Sequence, residues 1–101
     1  MVLQVMKWDI HPDKVNEYMN WAQTAIKRTV SAPNVVEFRA YRPIGGTQVV
    51  TTVEFESMKA WVEFYENEDM KKIMEEIHTL ALNVNVEVWG PSPVVPTPIK
   101  P

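Results

Sequence analysis

The sequence contains no cysteine and only three glycines in 101 residues. Without cysteine, disulfides, thiolate catalysis and Cys-ligated metal sites are excluded. Gly45-Gly46 stand together in a turn between two strand-like runs, so no Gly-rich phosphate loop is available. No stretch approaches the ~18 apolar residues of a membrane span, and no basic segment followed by an apolar run opens the chain. A cytoplasmic location is the simplest expectation. The ten basic residues lie scattered, with no cluster beyond Lys27-Arg28 and Lys71-Lys72, and the formal charge is −3. Neither nucleic acid nor an anionic membrane is expected as a partner, since both require concentrated positive charge. No nucleophile elbow or Ser-His-Asp arrangement stands out.

What is present is ordinary for a globular protein: 46% hydrophobic and 23% charged residues. The length fits one domain. Folding at this size buries somewhat under ~70% of the unfolded chain's surface, a thin margin that oligomerisation would improve.

The clearest pattern is a hairpin. Val35 to Arg42 and Thr47 to Phe55 alternate with period two around Pro43-Ile44-Gly45-Gly46. Val36, Phe38, Ala40, Val49, Thr51, Val53 and Phe55 share one face. Glu37, Arg39, Tyr41, Gln48, Val50, Thr52 and Glu54 share the other. Val2 to Ile10 reads as a first strand, with Leu3 and Val5 on one side and Met6, Trp8 and Ile10 on the other, so both faces need cover. His11-Pro12-Asp13 opens a helix whose stripe runs from Val15 to Val30, and Pro33 ends it. Ser57 caps a second helix, and Asn67-Glu68-Asp69 marks a break after which the stripe resumes from Met70 to Ala81. One kinked helix or two short ones are expected there. Val84 to Trp89 is the last strand, and from Gly90 the prolines impose an extended tail. Residues 1–90 are therefore expected to form the domain and 91–101 the Pro-rich tail.

Strand, helix, strand, strand, helix, strand is the split βαβ, ferredoxin-like order, an α+β fold with a four-stranded antiparallel sheet. The helices cover one face. The other carries Tyr41, Val50, Trp89 and strand 1 apolars beside its polar residues, which is too apolar to stand wet, so a second copy packed sheet to sheet is expected.

The chain resembles the dimeric α/β-barrel superfamily, in particular the antibiotic biosynthesis monooxygenase-like (ABM) proteins. The resemblance covers residues 1–90. It is carried by Trp8-Asp9-Ile10-His11-Pro12-Asp13-Lys14, by Pro33-Asn34-Val35-Val36, and by Phe55-Glu56-Ser57 leading to Trp61-Val62-Glu63-Phe64-Tyr65. It implies a homodimer with a small-molecule pocket between sheet and helices of each subunit, and no cofactor. Where the haem-degrading branch has Trp and His on the second helix, this chain has Phe64 and Met74, and its first strand has no Asn, so haem degradation is not expected.

Two functions follow. As an enzyme, the chain would be a cofactor-independent monooxygenase or isomerase on an aromatic or polyketide-like molecule. Arg39 and Glu54 would bind and polarise the substrate, and His11 would be the base. Trp8, Tyr41, Trp61 and Trp89 would wall the pocket. As a non-catalytic ligand-binding or structural dimer, the same Glu37, Arg39 and Glu54 would form cross-strand salt bridges that fix register. The tryptophans would then be core and interface packing. Glu75 and His78 have the Glu-x-x-His spacing of di-metal bundles but fall at the side and back of their helix, where a solvated face is the better reading. The enzyme reading expects an open cavity of several hundred Å³ reaching His11 or Trp61.

Overall fold

The structure is a computed structural model that describes residues 1–101. Four strands form one antiparallel sheet: β1 (Val2–Ile10), β2 (Glu37–Tyr41), β3 (Gln48–Phe55) and β4 (Ala81–Trp89), in the order β2-β3-β1-β4. Three helices, α1 (Val15–Val30), α2 (Met58–Tyr65) and α3 (Glu68–Ile77), complete the ferredoxin-like α+β arrangement. None of them is long and apolar enough to cross a membrane.

Local chemistry sets the boundaries. His11 accepts a hydrogen bond at Nδ1 from the Asp13 N–H, and Pro12 starts a short 3₁₀ turn that leads into α1. The Ser57 hydroxyl accepts from the Ala60 N–H and caps α2. Of the two options for the second helical stretch, two short helices form. Asn67 adopts an extended backbone and its side-chain oxygen accepts from the N–H groups of Asp69 and Met70, which starts α3 afresh.

One boundary differs from the sequence reading. Leu80 and Ala81 do not continue the helix; α3 ends at Ile77 and Ala81 already belongs to β4. A bulge carries the pairing of β4 back to Ala81. Lys7 pairs with Asn85 but Asp9 pairs with Leu82, so Asn83 and Val84 oppose the single residue Trp8. Asn83 takes a left-handed φ of 55° there, and its amide donates to Asp9 Oδ2 across 3.1 Å. The extra residue reverses the side-chain alternation within β4.

The core lies between the sheet and the helices. Met6, Trp8 and Ile10 of β1, Val49, Val53 and Phe55 of β3, and Phe64, Met70, Ile73 and Ile77 of the helices are buried. Phe55 is fully enclosed, its ring 4.8 Å from that of Phe64 at 58°. The face away from the helices carries Leu3, Val5, Thr52, Val50, Glu54 and their edge-strand neighbours. Beyond Gly90 there is no helix or strand, and Val94 and Ile99 are exposed.

Candidate functional site

The buried face of β1 and β3 does not meet α1 tightly. Ala22, Ala25 and Thr29 stand where larger residues would have filled the space, and a cavity of about 150 Å³ remains. Its twenty lining residues include seventeen apolar ones, among them Met6, Trp8, Phe38, Met70 and Ile73. Interiors are packed like organic crystals, so a void of this size is a feature to explain. An apolar cavity of ~150 Å³ holds about one benzene ring. That is smaller than the several hundred Å³ expected from the sequence, and neither His11 nor Trp61 is in its wall.

Two indoles orient its polar groups. Trp8 Nε1 donates to the Tyr18 hydroxyl across 3.0 Å, and Trp61 Nε1 donates to Gln4 Oε1 across 2.9 Å. Gln4 and Tyr18 both line the cavity and both are buried. Burial pushes the Tyr18 phenol above its ordinary pKa of 10, against the lowering effects of the Trp8 hydrogen bond and the Arg42 charge. Tyr18 is therefore a neutral phenol at physiological pH.

The helices above the cavity are joined by an ion cluster. Arg28 of α1 donates to both carboxylate oxygens of Asp69 and of Glu76 on α3, at 2.7 to 3.2 Å. Glu76 Oε1 also accepts from Trp21 Nε1 across 2.8 Å, and Trp21 is a cavity wall. The Arg28 guanidinium holds Asp69 below the ordinary carboxylate range, and Arg28 followed by the Trp21 indole does the same to Glu76. Arg28 itself is raised, chiefly by its hydrogen bonds to Asp69 and then Glu76. No group of three metal-ligating side chains comes together anywhere in the chain.

The residues singled out from the sequence fall in three places. Trp8 lines the cavity, and Trp61 reaches it through Gln4. Arg39, Glu54, Tyr41 and Trp89 lie on the opposite face of the sheet, where Tyr41 and Trp89 are about half exposed. On that face Glu54 stands directly across from Glu37 and from Leu3, and Arg39 pairs with Glu37. The three-residue network therefore forms only as the Arg39–Glu37 ion pair. His11 sits at the end of β1, its backbone N–H donating to the Leu80 carbonyl and its Nδ1 lone pair taken by Asp13. A single chain does not bring His11, Arg39 and Glu54 together. Glu75 and His78 are exposed, as a solvated face requires.

The model of the antibiotic biosynthesis monooxygenase family matches residues 1–76. The chain belongs to that family. No curated protein matches the ABM chain. Among solved structures it is similar to Rv0793 from Mycobacterium tuberculosis, at 17% identity and a TM-score of 0.77, over 90% of this chain and 94% of the other. It is also similar to SnoaB from Streptomyces nogalater, described as a cofactor-independent oxygenase, at 13% identity and a TM-score of 0.73, over 95% and 97% of the two chains. At these identities the likeness is one of fold.

Several residues that build this ABM site escaped the sequence reading, though each left a trace. Gln4 is the one polar position in the series Gln4, Met6, Trp8, Ile10, and Thr51 is its counterpart among Val49, Val53 and Phe55. Trp21 and Arg28, and likewise Asp69 and Glu76, are seven residues apart, which places each pair on one helix face two turns apart.

Proposed function

We propose that this ABM protein binds a small aromatic or polyketide-like molecule in the cavity beneath α1 and oxidises it as a homodimer without a bound cofactor. The cavity itself carries the reading: a partly open, mostly apolar space with few polar groups is the usual form of a small-molecule site. Membership of the ABM family and a fold shared with SnoaB support oxygenation over other chemistries.

Without a cofactor the substrate must supply the electrons. An acidic methylene loses a proton, the carbanion reacts with O₂, and the carbon ends as a carbonyl. One oxygen atom stays in that carbonyl and the other leaves as water with the two methylene hydrogens. If O₂ takes no part, return of the proton to another carbon makes the reaction an isomerisation. In this reading Trp8 and Trp61 orient the site, while His11, the base expected from the sequence, lies outside the cavity wall with its Nδ1 taken by the Asp13 N–H. Arg39, Glu54, Tyr41 and Trp89 lie on the face that a second copy would cover. Half-exposed Tyr41 and Trp89 support that dimer.

One observation favours a ligand-binding protein instead. The ionisable groups in the cavity wall are two tyrosines, Tyr18 and Tyr65, with no carboxylate or imidazole among them, and the pKa of Tyr18 is raised away from neutrality. Oxygen-electrode traces with CH-acidic aromatic ketones and phenols, with product mass analysis, decide between the two. The oxygenase reading expects one O₂ consumed per product 14 mass units heavier, the result of exchanging two hydrogens for oxygen. Saturable binding with no O₂ uptake and no isomerised product leaves the binding protein.

A further inference from the structure

We propose that Trp8 and Trp61 fix the polar lining of the cavity in a hydrogen-donating state. The site then selects a single-ring molecule bearing an acceptor oxygen, such as a carbonyl, over one bearing polar hydrogens. The proposal rests on the small-molecule reading of the cavity and adds the class of molecule.

An indole N–H can only donate. Trp61 Nε1 therefore meets the oxygen of the Gln4 amide and turns the NH₂ end away from itself. Trp8 Nε1 likewise meets the oxygen of Tyr18, which leaves the phenol its O–H to give. Neither the Gln4 NH₂ nor the Tyr18 O–H has a protein acceptor, although both residues are more than nine-tenths buried. The Gln4 nitrogen has no partner yet is not sealed away as an unsatisfied buried atom, so it retains access to space.

The threonines do not reverse the balance. Thr51 rotates to serve either role. Thr29 spends its proton on the Ala25 carbonyl and is left as an acceptor in a half-buried position on α1, and the Tyr65 hydroxyl, like that of Thr51, can turn to either role. Gln4 and Trp8 stand four residues apart on one face of β1, so their Cα atoms are ~13 Å apart and the Gln4 amide is a separate donor from the Trp8–Tyr18 pair. A ligand N–H or O–H placed against the Gln4 NH₂ would face another donor and lose its hydration without replacement, and at Tyr18 it would compete with Trp8 for the phenol oxygen. The volume, about 150 Å³, limits the ring count to about one.

Toluene, benzaldehyde and aniline are similar in size and present neither group, an acceptor, and mainly donors. Their binding is measured by quenching of tryptophan fluorescence and by calorimetry at pH 8. We expect benzaldehyde to bind about fivefold more tightly than toluene, and aniline no more tightly than toluene. In Gln4→Leu and Tyr18→Phe the benzaldehyde preference shrinks while toluene affinity holds. In Trp61→Phe the Gln4 amide is free to turn, and aniline gains on toluene, which a purely structural role for Trp61 would not produce. Equal binding of toluene and benzaldehyde overturns the donor lining but leaves the cavity as a ligand site. Binding of none of the three overturns both.

Discussion

Arg28 on α1 and Asp69 on α3 face each other in a two-point ion pair, Nε 3.0 Å from Oδ2 and an outer nitrogen 2.7 Å from Oδ1. The same guanidinium reaches Glu76 two turns further along the same face of α3. This is the contact that holds the two helices over the cavity, and bidentate geometry makes it stronger than an ordinary surface pair.

Replacing Arg28 by Ala leaves Asp69 and Glu76 as neighbouring uncompensated carboxylates. The loss of stability is expected to be about 1–2 kcal/mol, larger than for a lone exposed pair because two partners are lost. Urea denaturation of Arg28→Ala against Arg28→Lys measures it, with Lys recovering part of the loss because it lacks the planar fork.

The same cluster predicts a pH dependence. Asp69 and Glu76 are held below their ordinary values of 3.8 and 4.5 in the folded chain. A carboxylate depressed by folding contributes stability above its unfolded pKa and loses it as pH falls through the folded one. The urea midpoint should therefore hold from neutrality to about pH 5 and fall as acid protonates the pair. The acid-side fall should be shallower in Arg28→Ala, whose carboxylates are no longer depressed.

Phe55 is completely buried and packs its ring on Phe64. Phe55→Ala is expected to cost about 3–5 kcal/mol, a large share of the ~5–15 kcal/mol a small domain has. Chemical denaturation should find the variant marginal or unfolded, whereas Tyr41→Ala on the half-exposed sheet face should leave the fold of a single chain intact.

The sheet face opposite the helices is where we place the second copy. Light scattering should give twice the chain mass of 11.7 kDa at micromolar concentration. Val50→Glu sets a charge between Tyr41 and Lys7 in the middle of that face and should shift the mass to the monomer with circular dichroism unchanged. A wild-type monomer would remove the covered face and any role there for Arg39 and Glu54.

The order of elements was legible because each has a strong period, the hairpin of period two and α1 of 3.6, with Ser57 and Asn67 as caps whose side chains do in the structure what their residue types suggest. The start of β4 was not, because the bulge at Asn83 reverses the alternation on which a strand is recognised, and Leu80 and Ala81 happen to fit the preceding helical stripe. For the site, Trp8 was legible as a wall, but the choice of face for β1 was open until the helices were placed. Gln4 and Arg28 act through partners far away in sequence, Trp61 and Asp69, and no local pattern reports such a pairing. Arg39 and Glu54 share a face by simple alternation, yet register sets Glu54 across from Glu37 instead of Arg39.

The central claim is that the space beneath α1 is a ligand site, and filling it is the most direct test. Ala22 lies in the cavity wall and is only partly buried, so Ala22→Phe should occupy the space at modest cost to the fold. Toluene titrated into the wild-type chain by calorimetry should saturate at one molecule per chain, and Ala22→Phe with an unchanged circular dichroism spectrum should show no saturable heat. Binding that survives in the filled variant, or no saturable binding in the wild type, would contradict the account.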